Sequence, residues 1–236
     1  MSAGSQVGDV AVVIPAWNEA DRIRQTVTAA AGLRSVGLVV VVDDGSVDGT
    51  GAVARRAGAV VLRHSRNRGK AAAMQSGANA VGLVDQRERR ERARHLLFLD
   101  ADLAESAAQA GPLTDPVLAG KADMTIAVFA ATVKLGGHGL VVGLSGAGIR
   151  RAVGWQPAQP LNGQRCLTRA AFEAARPLAR GWGVETALTI DLMRQGFRVT
   201  EVDVELAHRA TGTGLRAQLH RAHQLADVAR ALAVRR

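Results

Sequence analysis

The 236-residue chain is long enough for one sizeable domain, and its length calls for no second one. Its 30 lysines and arginines outweigh 21 aspartates and glutamates for a net charge of +9, while aromatics make up 3% and tyrosine is absent. Too few rings are present for a platform that stacks single-stranded bases, and no DNA-recognition motif accompanies the charge, which argues against nucleic acid as a partner. Nearly all the positive charge is arginine, since Lys70, Lys121 and Lys134 are the only lysines. The planar arginine fork suits phosphate and carboxylate, so anionic small molecules or anionic lipids fit this balance, as does plain solubility. Cys166 has no second cysteine to pair with, which points to a reducing compartment and to a small buried hydrophobe. The start lacks a signal-peptide pattern and no apolar run approaches the ~20 residues of a membrane span. The expectation is a soluble cytoplasmic protein, with peripheral contact at the inner face of a membrane left open.

In chain order, strand and helix signals alternate. "VAVVIP" (10–15) reads as a strand stopped by Pro15, and "NEADRIRQTVTAAAGL" as a helix capped by Asn18. "LVVVVDDGS" is a second buried strand, "VDGTGAVARRAG" a second helix, "AVVLRH" a third strand and "GKAAAMQSGANAVGLV" a third helix. The charged run "DQRERRERAR" (85–94) reads as the solvated end of that helix. "LLFLD" is the fourth strand. Such alternation predicts an α/β fold, a mostly parallel sheet with helices on both faces. "ADMTIAVF" follows as a strand, and the glycine-rich residues 134–154 as a mobile loop leading into a short helix. "NGQRCLTRAAFEAA" reads as strand then helix, "GVETALTIDLMRQG" as a helix and "RVTEVDVEL" as an exposed strand. The tail beyond Gly214 is an amphipathic helix with Leu215, Leu219, Ala222, Ala226, Ala229 and Ala233 on its apolar side. That side either packs on the main body or lies on a membrane surface.

Four constellations fall at strand ends, where open α/β sheets bind ligands. In "IPAWNEAD", Pro15 exposes backbone that can hold a base or ribose, although Asn18 and Glu19 are also ordinary helix-start residues. In "VVDDGSVDGT", Asp43 can accept from a base N–H or a ribose hydroxyl, or can simply form an Asx turn with Asp48 as cap. In "NRGKAAA", Lys70 stands at a helix start, against the dipole, which argues for an anion beside it. In "DADL", Asp100 and Asp102 repel one another unless they serve a cation. Magnesium or manganese takes such oxygen ligands and shares them with substrate phosphates; a turn and a helix cap are the plain alternative.

Together and in this order, "IPAWNE", "VVDDGSVDGT", "GKA" and "DAD" resemble the family 2 type glycosyltransferases of the GT-A fold, strongly over residues 10–104. Farther on, "QPLNGQRCLTR", "ARGWGVETALTIDL" and "AHRATG" are similar to glucosyl-3-phosphoglycerate synthases, which are longer. Polyprenyl-phosphate glycosyltransferases share the first half almost as well. The resemblance implies a single GT-A domain over 1–236. Residues 1–104 would form its nucleotide-sugar-binding half, 105–212 its acceptor half and 213–236 a C-terminal helix.

It also implies that Pro15, Ala16, Trp17, Glu19 and Asp43 line the nucleoside, that Lys70 approaches the nucleotide or sugar, and that Asp100 lies near the ribose. Asp102 is the expected carboxylate on Mg²⁺ or Mn²⁺ and His208 the expected distant ligand. Glu185 matches an acidic residue close to the transferred sugar or the acceptor. It would act as general base in an inverting enzyme or position the sugar in a retaining one. Alone, His208 would read as a surface or core histidine and Glu185 as a first-turn residue. Lys134, Arg150 and Arg151 flank the segment that corresponds to an acceptor loop, suiting a phosphorylated acceptor; Arg150 and Arg151 would equally end a helix favourably.

The donor expected from the resemblance is a UDP-sugar in preference to a GDP-sugar. The acceptor is a phosphoglycerate-like acid or a polyprenyl phosphate, and a homodimer is compatible with the chain. A non-catalytic nucleotide-sugar-binding protein would be expected to lose the paired aspartates or Glu185, and both are kept. A nucleotidyltransferase or dinucleotide oxidoreductase would need a glycine-rich loop after the first strand, which "IPAWNEA" is not.

Overall fold

The computed structural model describes residues 8–129, 139–206 and 215–235, with side chains throughout except at 215–222. His208 and Lys134, expected at the metal and the acceptor, lie outside the described residues. Seven strands form one sheet: β1 (Val10–Ala16), β2 (Val36–Asp43), β3 (Val60–Arg63), β4 (His95–Phe98), β5 (Met124–Phe129), β6 (Arg165–Leu167) and β7 (Val199–Val204). Their order is β3-β2-β1-β4-β6-β5-β7. All neighbours are parallel except β6, which runs antiparallel to both β4 and β5. The period-2 alternation of side chains sorts the central strands onto two faces. Val10, Val12 and Ile14 meet Ile23, Val27 and Ala30 of α1 (Ile23–Ala31) on one side. Ala11, Val13 and Phe98 meet Met74 and Val81 of α3 (Lys70–Arg87) and Phe172 of α6 (Arg169–Ala174) on the other.

Several local expectations shift. Pro15 does not stop β1; it pairs in register with Val42, and Ala16 with Asp43. Val13 accepts from Leu99 of the β4 side and Ala16 accepts from Asp44 of the β2 side. By alternation the missing N–H of Pro15 therefore points toward the β4 side, past the last paired residue of that strand, and no ladder bond is lost. Asn18 is not a helix cap. It has φ +55, its amide N–H donates to Ser46 Oγ (3.0 Å), and its side-chain oxygen accepts from Val47 N–H (3.0 Å). Glu19 N–H donates to Thr50 Oγ1 and Ala20 N–H to Asp48 Oδ2. The loops that follow β1 and β2 are thus stitched into one platform ahead of α2 (Thr50–Arg56).

The charged run 85–94 is not simply solvated. Asp85 and Arg94 are buried and paired, and the Arg94 guanidinium also reaches Glu88 and the Gly8 carbonyl. A strongly charged stretch hides this because the pair satisfies both charges internally: one Asp85 oxygen takes the Arg94 guanidinium and the other the Arg94 backbone N–H. After Lys121 the short α4 (Asp115–Leu118) is already past, and beyond residue 138 the chain forms a 15-residue helix, α5 (Gly139–Val153), where a loop with a short helix was expected. Its glycines are tolerated because packing against α7 (Val184–Arg194) offsets their low propensity; Ser145 and Thr186 share a buried 2.6 Å hydrogen bond.

The tail helix α8 (Leu215–Ala233) packs on the body, but on a different side from the one expected. Gln224, Val228 and Ala231 are buried, whereas Ala226, Ala229 and Ala233 are exposed. Alanine weighs little in a hydrophobic stripe, so the single Val228 outvotes three of them. Among the described residues, no helix is long and apolar enough to cross a membrane.

Asn18→Ala should cost about 1–3 kcal/mol in urea unfolding, from left-handed strain plus the lost bond to Val47. Asn18→Gly keeps the conformation and should cost less. Equal losses would show that the hydrogen bond alone matters.

Candidate active site

The carboxyl edge of the sheet gathers the chemistry. Asp100 follows β4, Lys70 opens α3 and Glu185 lies in the first turn of α7. Lys70 Nζ donates to Asp100 Oδ1 at 2.8 Å and stands 3.1 Å from Glu185 Oε1. The anions argued for by a lysine at a helix start are therefore two carboxylates of the chain itself. Burial works against the Lys70 charge, but Asp100 and Glu185 outweigh it and hold the ammonium above the usual lysine range. Glu185 is only 5% exposed.

The reversed strand β6 explains how the second half of the chain reaches this edge. Its start lies where the parallel strands end, and Phe98 pairs with Arg165, which brings residue 163 level with Asp100. A Cβ on Gly163 would stand 2.1 Å from Lys70 Nζ and 3.2 Å from Asp100 Oδ1. A side chain on the glycine of "NGQ" would push the Lys70 ammonium from its present position. Behind it the fully buried Arg165 donates to the carbonyls of Asn162, Pro160 and Glu185 and to Thr189 Oγ1. Burial pulls its guanidinium down to about 10, against Glu185 and Glu201, which favour the charge. Arg165 thus ties the strand start to the first turn of α7 that carries Glu185. Sequence reading missed it, because an arginine in a short strand looks like a surface residue.

The "DAD" turn is held from below. Thr26 Oγ1, fully buried in α1, donates to the Ala101 carbonyl and accepts from Ala104 N–H, both at 2.8 Å. Arg22 reaches the Asp102 carbonyl at 3.3 Å. Asp102 is half-buried at the same edge, two residues beyond the Lys70-bound Asp100. Its oxygen donors are of the kind that magnesium or manganese takes. Among the described residues no three histidine, cysteine, aspartate or glutamate side chains converge.

The other expected residues divide. Trp17 is 56% exposed beside the half-buried Pro15 and buried Ala16, a free ring at the end of β1. Glu19 begins the turn into α1. Asp43 is 1% exposed: Oδ1 accepts from Ser46 N–H at 2.9 Å and Oδ2 faces Arg63 Nε at 3.6 Å. In this conformation it forms the turn that was its alternative reading. Arg150 and Arg151 are not brought to Lys70. They occupy the last turn of α5, about 8 Å of helix rise beyond Ser145, the residue that touches α7 next to Glu185. Arg151 instead lines a roughly 350 Å³ groove with Arg194 and Arg235 at the ends of α7 and α8. Three arginines at helix carboxyl ends complement the helix dipoles, the alternative role given for Arg150 and Arg151.

Replacing Lys70 by the near-isosteric methionine leaves Asp100 and Glu185 facing each other. Lys70→Met should lose about 1–3 kcal/mol of stability, between the exposed and the fully buried limits for broken pairs. Because the Lys70 pKa is raised, this contribution is complete below the ordinary lysine range. Urea titrations should show the gap to wild type undiminished to about pH 10 and closing only above it.

Residues 11–138 match the model of the family described as glycosyl transferase family 2. Glycosyltransferase AglJ of Haloferax volcanii is 28% identical over 210 residues, 86% of this chain and 65% of AglJ. The uncharacterized protein MJ1222 of Methanocaldococcus jannaschii is 32% identical over 120 residues, 50% of this chain and 45% of that protein. The chain thus spans less than two thirds of the length of either relative. Glucosyl-3-phosphoglycerate synthase of Mycobacterium tuberculosis, in complex with phosphoglyceric acid, matches with a TM-score of 0.77 at 24% identity, over 98% of this chain and 82% of that one. The complex of that enzyme with Mn²⁺, UDP-glucose and phosphoglyceric acid gives 0.76 at 24% identity over 98% and 81%. The complex with Mg²⁺ and UDP gives 0.74 at 23% over 98% and 81%. This likeness, with the sheet order and its flanking helices, makes the architecture a GT-A fold. With more than half of its residues matched by the family model, the chain belongs to glycosyl transferase family 2.

Proposed function

We propose that the chain is a metal-dependent glycosyltransferase that moves a sugar from a nucleoside diphosphate sugar, of UDP-glucose type, to a phosphorylated anionic acceptor. The observation that carries this reading is Lys70 bridging Asp100 and Glu185 at the carboxyl edge, with Asp102 alongside. The solved enzymes of the same fold hold UDP with Mn²⁺ or Mg²⁺, and UDP-glucose with phosphoglyceric acid, which supports that donor, that metal and that acceptor class.

Each residue has a role that its surroundings suit. The exposed Trp17 ring and the backbone of residues 15–17 would receive the nucleoside, with the stitched loops 17–20 and 46–50 as their rigid support. Asp102, half-buried at the same edge, is the carboxylate that would hold a divalent cation, together with diphosphate oxygens. Such an ion, when bound, offsets the negative charge that gathers on a departing nucleoside diphosphate. Lys70 offsets part of the negative charge of Asp100 and Glu185 at the site. Glu185 has one oxygen on Lys70 and no other carboxylate contact among the described residues; that second oxygen suits a sugar hydroxyl. A carboxylate already committed to an ammonium is a poor general base, which favours the sugar-positioning role.

The acceptor reading rests on the family likeness and on the net charge, since Arg150 and Arg151 stand away from Lys70. A small phosphorylated acid is the first choice. A polyprenyl phosphate is the second, favoured by apolar side chains left in solvent, with Leu140 84% and Val234 78% exposed.

Glucose transfer from UDP-glucose to 3-phosphoglycerate, assayed with Mn²⁺, tests the proposal; GDP-glucose and polyprenyl phosphate are the comparison substrates. Glu185→Gln should lower kcat by about 10²-fold or more. Calorimetry of UDP should show binding that is strengthened by Mn²⁺, and Asp102→Ala should remove the difference. Equal UDP affinity in Mn²⁺ and in EDTA would sink the metal role, and transfer to none of these acceptors would sink the acceptor class.

A further inference from the structure

One buried titratable side chain has no part in the scheme above. His64 follows β3, is 6% exposed, and its backbone N–H donates to the Asp43 carbonyl. Its ring stands between two groups: Nδ1 is 2.6 Å from Asp44 Oδ1 and Nε2 is 2.9 Å from Ser76 Oγ on α3. A carboxylate only accepts, so Nδ1 carries the hydrogen, and in the neutral ring Nε2 takes the hydroxyl hydrogen of Ser76. Asp44 is itself 4% exposed, and its two oxygens collect the backbone N–H groups of Arg68 (2.9 Å) and Gly69 (2.8 Å). Its own N–H donates to the Ala16 carbonyl at the end of β1. Gly69 has φ +84 and ψ 162, a conformation essentially confined to glycine, and Lys70 follows immediately. The turn before Lys70 is therefore held by one buried carboxylate, with Asn67 Oδ1 also accepting from Gly69 N–H at 3.1 Å, and His64 braces that carboxylate through Nδ1.

We propose that His64 is a positioning residue for Lys70. With Ser76 bracing its far nitrogen, it fixes Asp44, and Asp44 fixes the Arg68–Gly69 turn from which Lys70 reaches Asp100 and Glu185. Its importance for transfer rests on the function proposed above; its effect on Lys70 does not. A long side chain that must meet two carboxylates at once tolerates little drift at its root, because displacement by a few tenths of an ångström lengthens one contact as it shortens the other.

Two substitutions separate the contacts. In His64→Asn the side-chain amide lies where Nδ1 was and keeps the donation to Asp44. In His64→Gln it lies where Nε2 was, keeps Ser76 and abandons Asp44. Trace acetylation with acetic anhydride, read by mass spectrometry, compares Lys70 with the exposed Lys121 in the same molecule. The Lys70 to Lys121 ratio should rise roughly three- to tenfold in His64→Gln, because acetylation takes only the neutral amine and the carboxylates set its share. In His64→Asn the ratio should stay within about twofold of wild type, and donor KM should be kept in both while kcat falls in His64→Gln alone. An unchanged ratio in His64→Gln, or an equal rise in both variants, overturns the proposal. If His64→Gln does not fold, Ser76→Ala frees the brace alone; a raised ratio there supports the proposal and an unchanged one overturns it. The labelling needs no turnover. A raised ratio in a chain that transfers no sugar keeps the positioning role and discards the functional reading. An unchanged ratio in an active enzyme does the reverse.

Discussion

The ammonium of Lys70, held between Asp100 and Glu185, is the contact on which the carboxyl edge of the sheet depends. It joins the start of α3 to the end of β4 and the start of α7, elements that are 30 and 115 residues away along the chain. Without a cation there, two carboxylates from different halves of the molecule would face each other with little water to separate them. The helix dipole works against a lysine at this place, so the two carboxylates have to outweigh both the dipole and the loss of solvent. Gly163 fits this contact, since a side chain there would displace the Lys70 ammonium from its present position.

Around this contact the fold supplies supports that are themselves polar and satisfied. Arg165 spends its guanidinium on three carbonyls and a hydroxyl, which binds the loop before β6 to the first turn of α7. Thr26 both donates and accepts across the "DAD" turn. The tail helix acts from the far side. Asp227 accepts from Trp182 N–H in the turn before α7, and Arg235 clasps Asp191 through two 2.6 Å contacts. A Cβ on Gly183 would meet Ala231 of that helix at 2.6 Å. The helix is thus seated directly against the segment that presents Glu185. Buried polar groups of this kind are costly if left unmet, so they specify one arrangement more sharply than apolar contacts do.

Where the structure departs from expectation, the departures have a common origin. The motifs that carry Asp100, Lys70 and Glu185 sit at predicted strand ends and helix starts, and the structure gathers the three side chains at one edge of the sheet. Each was expected to face a ligand; in the structure Asp100 and Glu185 also meet Lys70. Arg150 and Arg151 were grouped with the acceptor on the strength of their charge, yet α5 runs alongside α7 and carries them away from Glu185. The stripe chosen on α8 was one of alanines, which mark no face strongly; Val228 and Gln224 lie on the buried one. Asn18 has the composition of a cap, but it uses the same hydrogen-bonding ability to join two loops, a choice that depends on Val47 being opposite.

What the sequence determined by itself was local and periodic. Hydrophobic runs bounded by glycine, proline and aspartate specify strands buried on both faces, and their alternation with helices specifies a parallel sheet with ligands at its carboxyl edge. Those signals act over a few residues and need no knowledge of distant partners. Only the tertiary structure decided that β6 runs backwards, since three residues carry no direction of their own until β4 and β5 offer edges on both sides. The reversal delivers Gly163 to Asp100, Arg165 to Glu185, and so Glu185 to Lys70. Such pairings join residues tens of positions apart, and a charge in a sequence does not show which opposite charge it will meet.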